Sequence, residues 1–421
     1  MTSTPDCCHA ESAGSQALLS MAEAVTRLLA QAVPVPDSEQ LPSLEALGRI
    51  LATPVVSRIS VPGWDNSAMD GYALRASDLA MAQGRLRISQ RIAAGNTGTR
   101  LEPGTAARIF TGAPLPEGAD TVVMQEVCRV EGDAVVIPLT VKPGANIRRA
   151  GEDIQAGAEI IAAGTRLLPQ HLGLAASVGV AELNVWRRLK VAVFASGDEL
   201  VMPGQPLGPG QIYNSNRFTL LGLLAVLGCE TLDLGRVPDQ LEATMATLTA
   251  AAGQADLVMG SGGVSVGEED HVKLAVERIG TLDLWKVAIR PGKPLAFGHL
   301  GPERTPFIGT PGNPVSLFVT FCLFARPFIR RMQGSVGDLE PQAFTLPAGF
   351  DWPKAADRME FPRARLEPGA DGQPEVRLYP RQSSGVLSSV TWADGLAVIP
   401  ANQTLRRGDR VQYLPLNEII P

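Results

Sequence analysis

The feature that most constrains the fold is a regular alternation of strand-like and helix-like segments across residues 190–332. Apolar runs with the length of buried strands lie at 191–195, 231–234 and 256–260. Helix-like segments lie between and beside them at 220–227 and 239–253. Asp239 with Glu242 is expected to cap the second helix. Strands that alternate with helices predict a parallel sheet with right-handed crossovers.

Two other parts of the chain are rich in short strands. Residues 74–147 contain β-rich runs separated by glycine and proline, and this pattern predicts a small β domain. After Gln333 the sequence is proline-rich and alternates apolar with polar residues, as at 396–399 and 410–413. We therefore expect a C-terminal β domain.

The folded part of the chain is expected to begin with a helix. Ser20 and Glu23 form a capping box, and an apolar stripe at helical spacing follows it. A second, short helix is expected at 44–51. Residues 146–187 return to glycine-rich and helical sequence, so we expect this segment and the first helix to pack together. The small β domain would then be an insertion.

Composition and charge exclude several functional classes. The chain has 421 residues, of which 45% are hydrophobic and 19% charged, so it can bury large cores and should form about three domains. A net charge of -6 opposes nucleic-acid binding, which needs clustered lysine and arginine. The sequence shows neither a signal-peptide pattern nor the roughly 18 apolar residues of a membrane span. We expect a cytoplasmic protein with no nucleic-acid or membrane partner.

The five cysteines indicate reduced thiols rather than a disulfide framework. Cys128, Cys229 and Cys322 are scattered and lack zinc-ligand spacing. The cluster Cys7-Cys8-His9 has two interpretations, a metal site and a disordered end. Adjacent cysteines chelate a metal poorly, so the disordered end is favoured.

Three glycine-containing loops carry the strongest signal for function. The loop at 261–267, Ser-Gly-Gly-Val-Ser-Val-Gly, follows a strand and precedes a helix expected to open at 268–270. Such a turn presents unpaired N–H groups and a helix dipole to an anion, and phosphate fits both. The loop is neither a Walker A motif nor a dinucleotide fingerprint. A tight turn that binds nothing is the alternative.

Two further loops, at 195–200 and 309–316, also follow apolar runs. In an open α/β sheet the carboxyl ends of the strands meet at one edge, where ligands bind, so we expect all three loops to converge there. The carboxylates in these turns are Asp198, Glu199 and Asp270. The cations that follow are Lys286, Arg290 and Lys293. The carboxylates could hold Mg²⁺ together with phosphate, and ordinary solvation of each charge is the alternative.

Residues 62–73, Pro-Gly-Trp-Asp-Asn-Ser-Ala-Met-Asp-Gly-Tyr-Ala, resemble the signature of the MoeA and gephyrin E-domain family, with Trp64 in place of phenylalanine. Further segments that occur in the family's order are 109–114, 146–149, 151–153 and the three loops. The resemblance extends from about Ser20 to the C-terminus. Arg290 stands where the family often has lysine, which replaces a compact ammonium by a planar guanidinium.

The resemblance implies a multidomain fold of the α/β plus β class. Its parts are a MogA-like parallel α/β domain, an inserted small β domain, a helical and extended linker domain, and a C-terminal β-barrel-like domain. The expected boundaries are 16–60 and 152–187 for the linker domain, 61–151 for the inserted domain, 188–333 for the α/β domain and 334–421 for the C-terminal domain. The subunit is expected to be elongated and to form a homodimer whose sites lie between subunits.

The resemblance also implies the activity of a molybdopterin molybdotransferase. Molybdate enters the dithiolene of adenylylated molybdopterin while the phosphoanhydride is hydrolysed and AMP is released. Mg²⁺ is the expected cofactor, and either water or a molybdate oxygen can be the nucleophile. Transient contacts with a MogA-like adenylyltransferase and with cofactor-accepting apoenzymes are further expectations.

Four groups of residues are expected to form the site. The catalytic group is Asp70, Thr111, Asp153, Glu199 and Asp270. The substrate-binding group is Ser261, Gly262, Gly263, Ser265, Gly267, Pro311, Gly312, Asn313, Pro314 and Ser316. The molybdate-binding group is Lys286, Arg290, Lys293, Arg358 and Ser389, and the last two rest on the resemblance alone. The metal-binding group is Asp198, Glu199 and Asp270.

Two rival functions use the same features differently. An adenylyltransferase of the MogA kind would load the pterin with AMP from ATP, but the extra β domains and the signature at 62–73 argue against it. A scaffold, as the gephyrin E domain is for receptor loops, is the second rival. No feature of this sequence indicates that role.

Overall fold

The structure is a computed structural model that describes residues 18–262, 271–292, 294–337 and 339–420. The chain divides into two compact units. One unit comprises the chain up to Glu39 together with residues 186–421, and the other comprises residues 40–185. Among the described residues, no helix has the length and apolar character needed to cross a membrane.

The first helix, α1 (Met21–Leu29), begins at the predicted capping box. The Glu23 N–H donates to Ser20 Oγ at 3.2 Å, and the Ser20 N–H donates to a Glu23 carboxylate oxygen at 2.9 Å. The apolar stripe of α1 is buried in the core of the α/β domain, where the helix packs on residues 321–332. The sequence predicts packing on the return segment instead; this prediction is wrong because Ala24, Val25 and Leu28 complete the α/β core.

The second unit contains the small β domain that the sequence predicts. Its elements, with their flanking strands, are β1 (Ser38–Pro42), β2 (Val55–Val56), β3 (Asn66–Ser67), β4 (Gly71–Leu74), α2 (Asp78–Met81), β5 (Arg85–Ile92), β6 (Thr105–Ile109), β7 (Thr121–Met124), β8 (Arg129–Glu131), β9 (Ala134–Val136), β10 (Ile147–Arg148), β11 (Glu159–Ile161), α3 (Pro169–Ser177) and β12 (Glu182–Trp186). Six strands form one sheet in the order β7-β4-β6-β5-β9-β8. Only the β5–β6 pair of this sheet is parallel.

The short helix predicted at 44–51 is reduced to a 3-10 turn at Ser43–Ala46. Leu44 and Leu47 are exposed, so the apolar spacing that suggested a helix does not form a buried face. The chain then leaves the helical region at Leu47, whose ψ is 129°.

The α/β domain occupies most of the larger unit. Its elements are β13 (Lys190–Ser196), β14 (Leu200–Val201), β15 (Ile212–Tyr213), α4 (Ser215–Val226), β16 (Glu230–Val237), α5 (Leu241–Ala252), β17 (Leu257–Ser261), α6 (His271–Ile279), β18 (Gly280–Lys286), β19 (Ile289–Arg290), β20 (Pro294–Leu300), β21 (Thr305–Thr310), α7 (Pro314–Thr320), a π-helical segment (Phe321–Ala325) and α8 (Arg326–Met332). The main sheet has the order β16-β13-β17-β21-β20-β18.

The parallel arrangement predicted from the sequence is confirmed for the first four strands of this sheet. The last two strands are antiparallel to their neighbours. The physical reason is connection length: residues 301–304 join β20 to β21, whereas a parallel crossover needs a dozen or more residues. The predicted cap at Asp239 is wrong, because α5 follows Gln240 and has no side-chain cap.

The buried residues explain the two-sided packing of the sheet. Val191 and Val193 of β13 face the core that contains α1, α4, α7 and α8. Ala192 and Phe194 face the core that contains α5 and α6. Successive side chains of a strand point to opposite faces, so a continuous apolar run is what a sheet covered on both faces requires.

The C-terminal domain is the predicted β domain. Its elements are β22 (Phe344–Pro347), β23 (Met359–Glu360), β24 (Arg363–Pro368), β25 (Pro374–Leu378), α9 (Ser388–Trp392), β26 (Gly395–Val398), β27 (Arg410–Pro415) and α10 (Leu416–Ile419). Five antiparallel strands have the order β22-β27-β26-β24-β25. A bridge between Ala348 and Val376 brings the two edges together, which gives the barrel-like form. β23 pairs with β19 and connects this domain to the α/β domain.

The three described cysteines are free thiols, as predicted. Burial raises the pKa of Cys128 to about 11 and that of both Cys229 and Cys322 to about 12. Thiolates are therefore disfavoured at all three positions, and these side chains are poor nucleophiles. The Cys7-Cys8-His9 cluster lies outside the described residues.

Candidate functional site

The three predicted loops begin at the carboxyl ends of β13, β17 and β21, which are adjacent in the sheet. Ser261 at the end of β17 is in register with Ala195 on one side and Thr310 on the other. The Gly262 N–H donates to the Thr310 carbonyl at 3.2 Å. The described parts of the loops therefore converge at one edge of the sheet, as the sequence predicts.

Gly262 occupies a position that excludes a side chain. Its φ is +81°, and a Cβ built on it would lie 2.7 Å from the Ser196 carbonyl oxygen. Glycine adopts this backbone conformation without a steric cost. The close approach fixes the start of the 261–267 loop directly against the end of β13.

The loop before α7 is held by a side chain that no local sequence pattern indicates. Asn216, in the first turn of α4, donates from Nδ2 to the Gly312 carbonyl at 2.8 Å. Its neighbour Asn214 is 2% exposed and caps the helix, because its Oδ1 accepts from the Arg217 N–H at 3.1 Å. Asn216 Oδ1 and Asn214 Nδ2 are both buried and have no hydrogen-bond partner within the described chain.

Other members of the predicted substrate-binding group have different environments. Asn313 is exposed and stands at the N-cap position of α7 without a side-chain cap bond. Pro311 is buried and Pro314 is the first residue of the helix. Ser316 is buried inside the helix, where its carbonyl accepts from Thr320 Oγ1 at 2.8 Å.

The described metal candidates, Asp198 and Glu199, lie on the loop that follows β13. The Asp198 side chain is 75% exposed and its carboxylate is 3.6 Å from Arg236 Nη1. The Glu199 side chain folds back over the loop and lies against Gly197: a Cβ built on Gly197 would be 2.5 Å from Glu199 Oε2. Among the described residues no group of three or more His, Cys, Asp or Glu side chains is placed to hold a metal.

Five predicted site residues lie outside the described residues: Gly263, Ser265, Gly267, Asp270 and Lys293. The predicted phosphate loop is thus described only at its first two residues, Ser261 and Gly262.

A second candidate subsite is a cavity of about 650 Å³ between the α/β and C-terminal domains, here called the oxyanion pocket. The charged and polar residues that line it are Arg290, Lys354, Glu360, Arg363, Gln382 and Ser383. Arg290 Nη1 lies 3.4 Å from the Glu360 carboxylate, which also accepts from Trp352 Nε1 at 3.2 Å. Three cations and one carboxylate give this pocket a net positive charge.

Arg363 is the most unusual residue of the oxyanion pocket. It is 1% exposed, and it donates to Ser389 Oγ at 3.0 Å and to the Ser383 carbonyl at 3.4 Å. It has no carboxylate partner among the residues that the structure describes. Burial lowers its pKa to about 10. A buried cation without a counter-ion is costly unless an anion pairs with it, so this residue indicates an anion site.

The predicted molybdate group is brought together in part. Ser389 is fully buried and contacts Arg363 rather than Arg358. Arg358 is directed to the Ile289 carbonyl at 3.4 Å. Lys286 is the last residue of β18 and is half-buried. Sequence alone could not single out Arg363, because Arg365 lies two residues along the same strand and is the same residue type, yet it is only partly buried.

The oxyanion pocket adjoins the loop that ends β21. The Val315 N–H in the first turn of α7 donates to the Ser384 carbonyl at 3.1 Å. Ser384 follows Ser383, which lines the pocket. The sheet edge and the lining of the oxyanion pocket are therefore connected through this main-chain hydrogen bond.

The unit of residues 40–185 holds the other predicted catalytic residues. Asp70 accepts from the Thr111 N–H at 2.8 Å and from Thr111 Oγ1 at 2.7 Å. Both hydrogen bonds lower the pKa of the Asp70 carboxyl, and the one from the Thr111 main-chain N–H has the larger effect. Asp153 is exposed, and its side chain has no hydrogen bond or ion pair with any described residue. Asp70 and Thr111 thus form a pair, whereas Asp153 does not join it.

Three family profiles match the chain in sequence order. They describe the MoeA N-terminal region, domains I and II, at residues 19–179, a probable molybdopterin binding domain at 192–331, and the MoeA C-terminal region, domain IV, at 345–416. The chain belongs to the MoeA family of molybdopterin molybdenumtransferases. The resemblance read from the signature at 62–73 is confirmed.

Relatives and solved structures agree with this assignment. A molybdopterin molybdenumtransferase of Haemophilus influenzae is 41% identical over 410 residues, covering 96% of this chain and all of that protein. One of Nostoc is 39% identical and covers 87% of this chain and 86% of that protein. The crystal structure of the molybdopterin biosynthesis MoeA protein of Pyrococcus horikoshii superposes with a TM-score of 0.81 at 29% identity, covering 95% of this chain and all of that one.

Proposed function

We propose that this MoeA-family chain inserts molybdate into adenylylated molybdopterin and releases AMP. The observation that carries the proposal is the contact between two complementary subsites in one compact unit. One is the edge of the parallel sheet, whose loops suit a phosphate-bearing ligand. The other is the oxyanion pocket, where Arg363 is buried without a carboxylate partner among the described residues. The Val315–Ser384 hydrogen bond connects them.

Each subsite binds one of the two substrates. The loops that follow β13, β17 and β21, with Gly262, Pro311, Gly312 and Asn313, hold the pterin nucleotide. Arg290 and Arg363, oriented by Glu360 and Ser389, hold the molybdate dianion beside it. Fixed cations stabilise the charge that develops as the oxyanion reacts, and holding both reactants at adjoining subsites lowers the entropic cost of the reaction.

The donor set on the β13 loop fits Mg²⁺. Asp198 and Glu199 supply two carboxylates, and Mg²⁺ commonly binds through one or two carboxylates plus substrate phosphates. We propose that these residues, with Asp270, hold the ion. When bound it would neutralise negative charge on the phosphoanhydride.

We propose further that the protein is a homodimer and that Asp70 and Thr111 complete a partner subunit's site. Their hydrogen bonds hold the Asp70 carboxylate in its charged form, ready to accept a hydrogen bond or to interact with a cation. A cytoplasmic location and transient contact with a MogA-like adenylyltransferase and cofactor-accepting apoenzymes remain proposals from the sequence.

One experiment separates this function from its rivals. Purified protein is incubated with adenylylated molybdopterin, Mg²⁺ and molybdate, and AMP is followed with time. Molybdate-dependent AMP release together with molybdenum in the pterin is the expected result. An adenylyltransferase would instead form adenylylated molybdopterin from ATP and molybdopterin, and a scaffold would do neither.

A further inference from the structure

The first turn of α4 carries two buried polar atoms without a partner within the described chain, Asn214 Nδ2 and Asn216 Oδ1. The identity of each atom follows from its neighbour. The Gly312 carbonyl can only accept a hydrogen bond, so Asn216 must direct its Nδ2 toward this carbonyl, and its Oδ1 is left without a partner within the described chain. Buried polar atoms are nearly always hydrogen-bonded in folded proteins, so two unpaired atoms in one turn beside the 309–316 loop indicate a hydrogen-bonding partner from outside the described chain.

We infer that Asn216 Oδ1 accepts a hydrogen bond from a ring or amino N–H of the bound pterin nucleotide. This inference rests on the proposed function and adds a specificity-determining residue to it. The oxygen is an acceptor with partial negative charge, so it repels phosphate oxygens and attracts an N–H donor. Asn216 therefore faces a heterocycle rather than the phosphoanhydride.

The same residue gives the ligand an orientation. Gly262 N–H and Asn216 Nδ2 both donate to carbonyls of the loop that ends β21, which fixes the loop between them. With the heterocycle against Asn216, the phosphates extend toward Gly262 at the end of β17, which lies beside Gly312. Pterin and adenine both carry suitable N–H groups, and the substrate contains both rings.

The test compares Asn216→Ala with wild-type protein in equilibrium binding of three probes: molybdopterin, AMP and inorganic pyrophosphate. A matched control is Gln254→Ala, which removes an exposed amide whose Nε2 also donates to a main-chain carbonyl, that of Ala250 at 3.1 Å. Gln254 precedes β17 and so lies at the opposite edge of the same sheet. The control should leave all three affinities unchanged.

We expect Asn216→Ala to lower the affinity for either molybdopterin or AMP about tenfold, which corresponds to the loss of one hydrogen bond. The affinities for the other of these two probes and for pyrophosphate should not change. The affected probe identifies the ring. Asn216→Ser, whose hydroxyl can still accept a hydrogen bond, should lose less affinity for that same probe. Equal weakening of all three probes would show that Asn216 only anchors Gly312, and unchanged binding of all three would also overturn the inference. Wild-type protein that binds neither molybdopterin nor AMP would overturn the proposed function together with it.

Discussion

Replacing Arg363 by methionine should make the free protein more stable and at the same time abolish its affinity for molybdate. Methionine has a similar length and no charge, so it can occupy the buried position beside Ser389 without a large cavity. Ser389 Oγ keeps its hydrogen bond to the Val386 carbonyl at 2.6 Å and is not left unsatisfied.

The magnitude follows from the burial of the guanidinium. A pKa of about 10 lies more than two pH units below the ordinary value of arginine. At about 1.4 kcal/mol per pH unit, the charged side chain costs roughly 3 kcal/mol in the folded protein. Its two hydrogen bonds return roughly 0.5–1.5 kcal/mol each. We therefore expect Arg363→Met to raise the free energy of unfolding by about 1 kcal/mol at pH 7.

Urea unfolding with and without molybdate measures both effects. A ligand at 100 times its Kd stabilises the folded state by about 2.7 kcal/mol, so wild-type protein should gain that amount and the variant nothing. Arg365→Met is the matched control, because Arg365 lies two residues along the same strand but is paired with Glu367 and stacked on Trp392. The control should lose stability slightly and keep the response to molybdate.

Two results would refute this reasoning. If Arg363→Met is destabilised by several kcal/mol without ligand, the guanidinium is a structural element with a partner that compensates its burial. If the variant is stabilised by molybdate as strongly as wild-type protein, the anion binds elsewhere and the oxyanion pocket has another role.

Three further changes test other parts of the site. Gly262→Ala should lower the free energy of unfolding by about 1–3 kcal/mol in chemical denaturation, because a Cβ is strained at its positive φ. It should also weaken pyrophosphate binding. Unchanged stability would show that residue 262 does not have this positive φ. Thr111→Val should raise the pKa of Asp70 toward its ordinary value in an NMR titration, since the hydrogen bond from the Thr111 hydroxyl is lost. The acid limb of the activity profile should then move to higher pH. An unmoved pKa would show that the hydroxyl does not stabilise the Asp70 carboxylate. Asp270→Asn should fold and bind substrate but release AMP slowly, with raised Mg²⁺ partly restoring the rate; near-normal release at limiting Mg²⁺ would exclude Asp270 from the metal site.

The fold could be predicted wherever one local pattern decides the outcome. The apolar run of β13 is covered on both faces, and the capping box at Ser20 forms as its sequence indicates. The short helix at 44–51 could not be predicted correctly, because Leu44 and Leu47 have helical spacing but no surface to pack on. Tertiary burial, which a local pattern does not contain, decides such cases.

The candidate site divides in the same way. Glycine loops after buried strands could be located from sequence, because strand ends in a parallel sheet meet at one edge. Arg363 and Asn216 could not, since each acts through a contact with a distant residue: Ser389 for the arginine and Gly312 for the asparagine. An arginine in a strand is usually exposed, whereas this one is buried against Ser383 and Ser389, which follow it by 20 and 26 residues.

The lowered pKa of Arg363 also sets the pH range in which the oxyanion pocket can work. The guanidinium remains protonated below about pH 10, so its contribution to molybdate affinity should be constant from pH 7 to 9. As the pH rises through 10 the free protein loses this charge, and affinity should fall earlier than it would with an exposed arginine. A bound dianion favours the charged form and shifts the loss to higher pH, so the measured midpoint should rise with molybdate concentration. Calorimetric titrations at pH 7, 9 and 10.5 with circular dichroism at each pH test this, and affinity that stays constant to pH 10.5 in folded protein would assign the anion to a solvent-exposed cation.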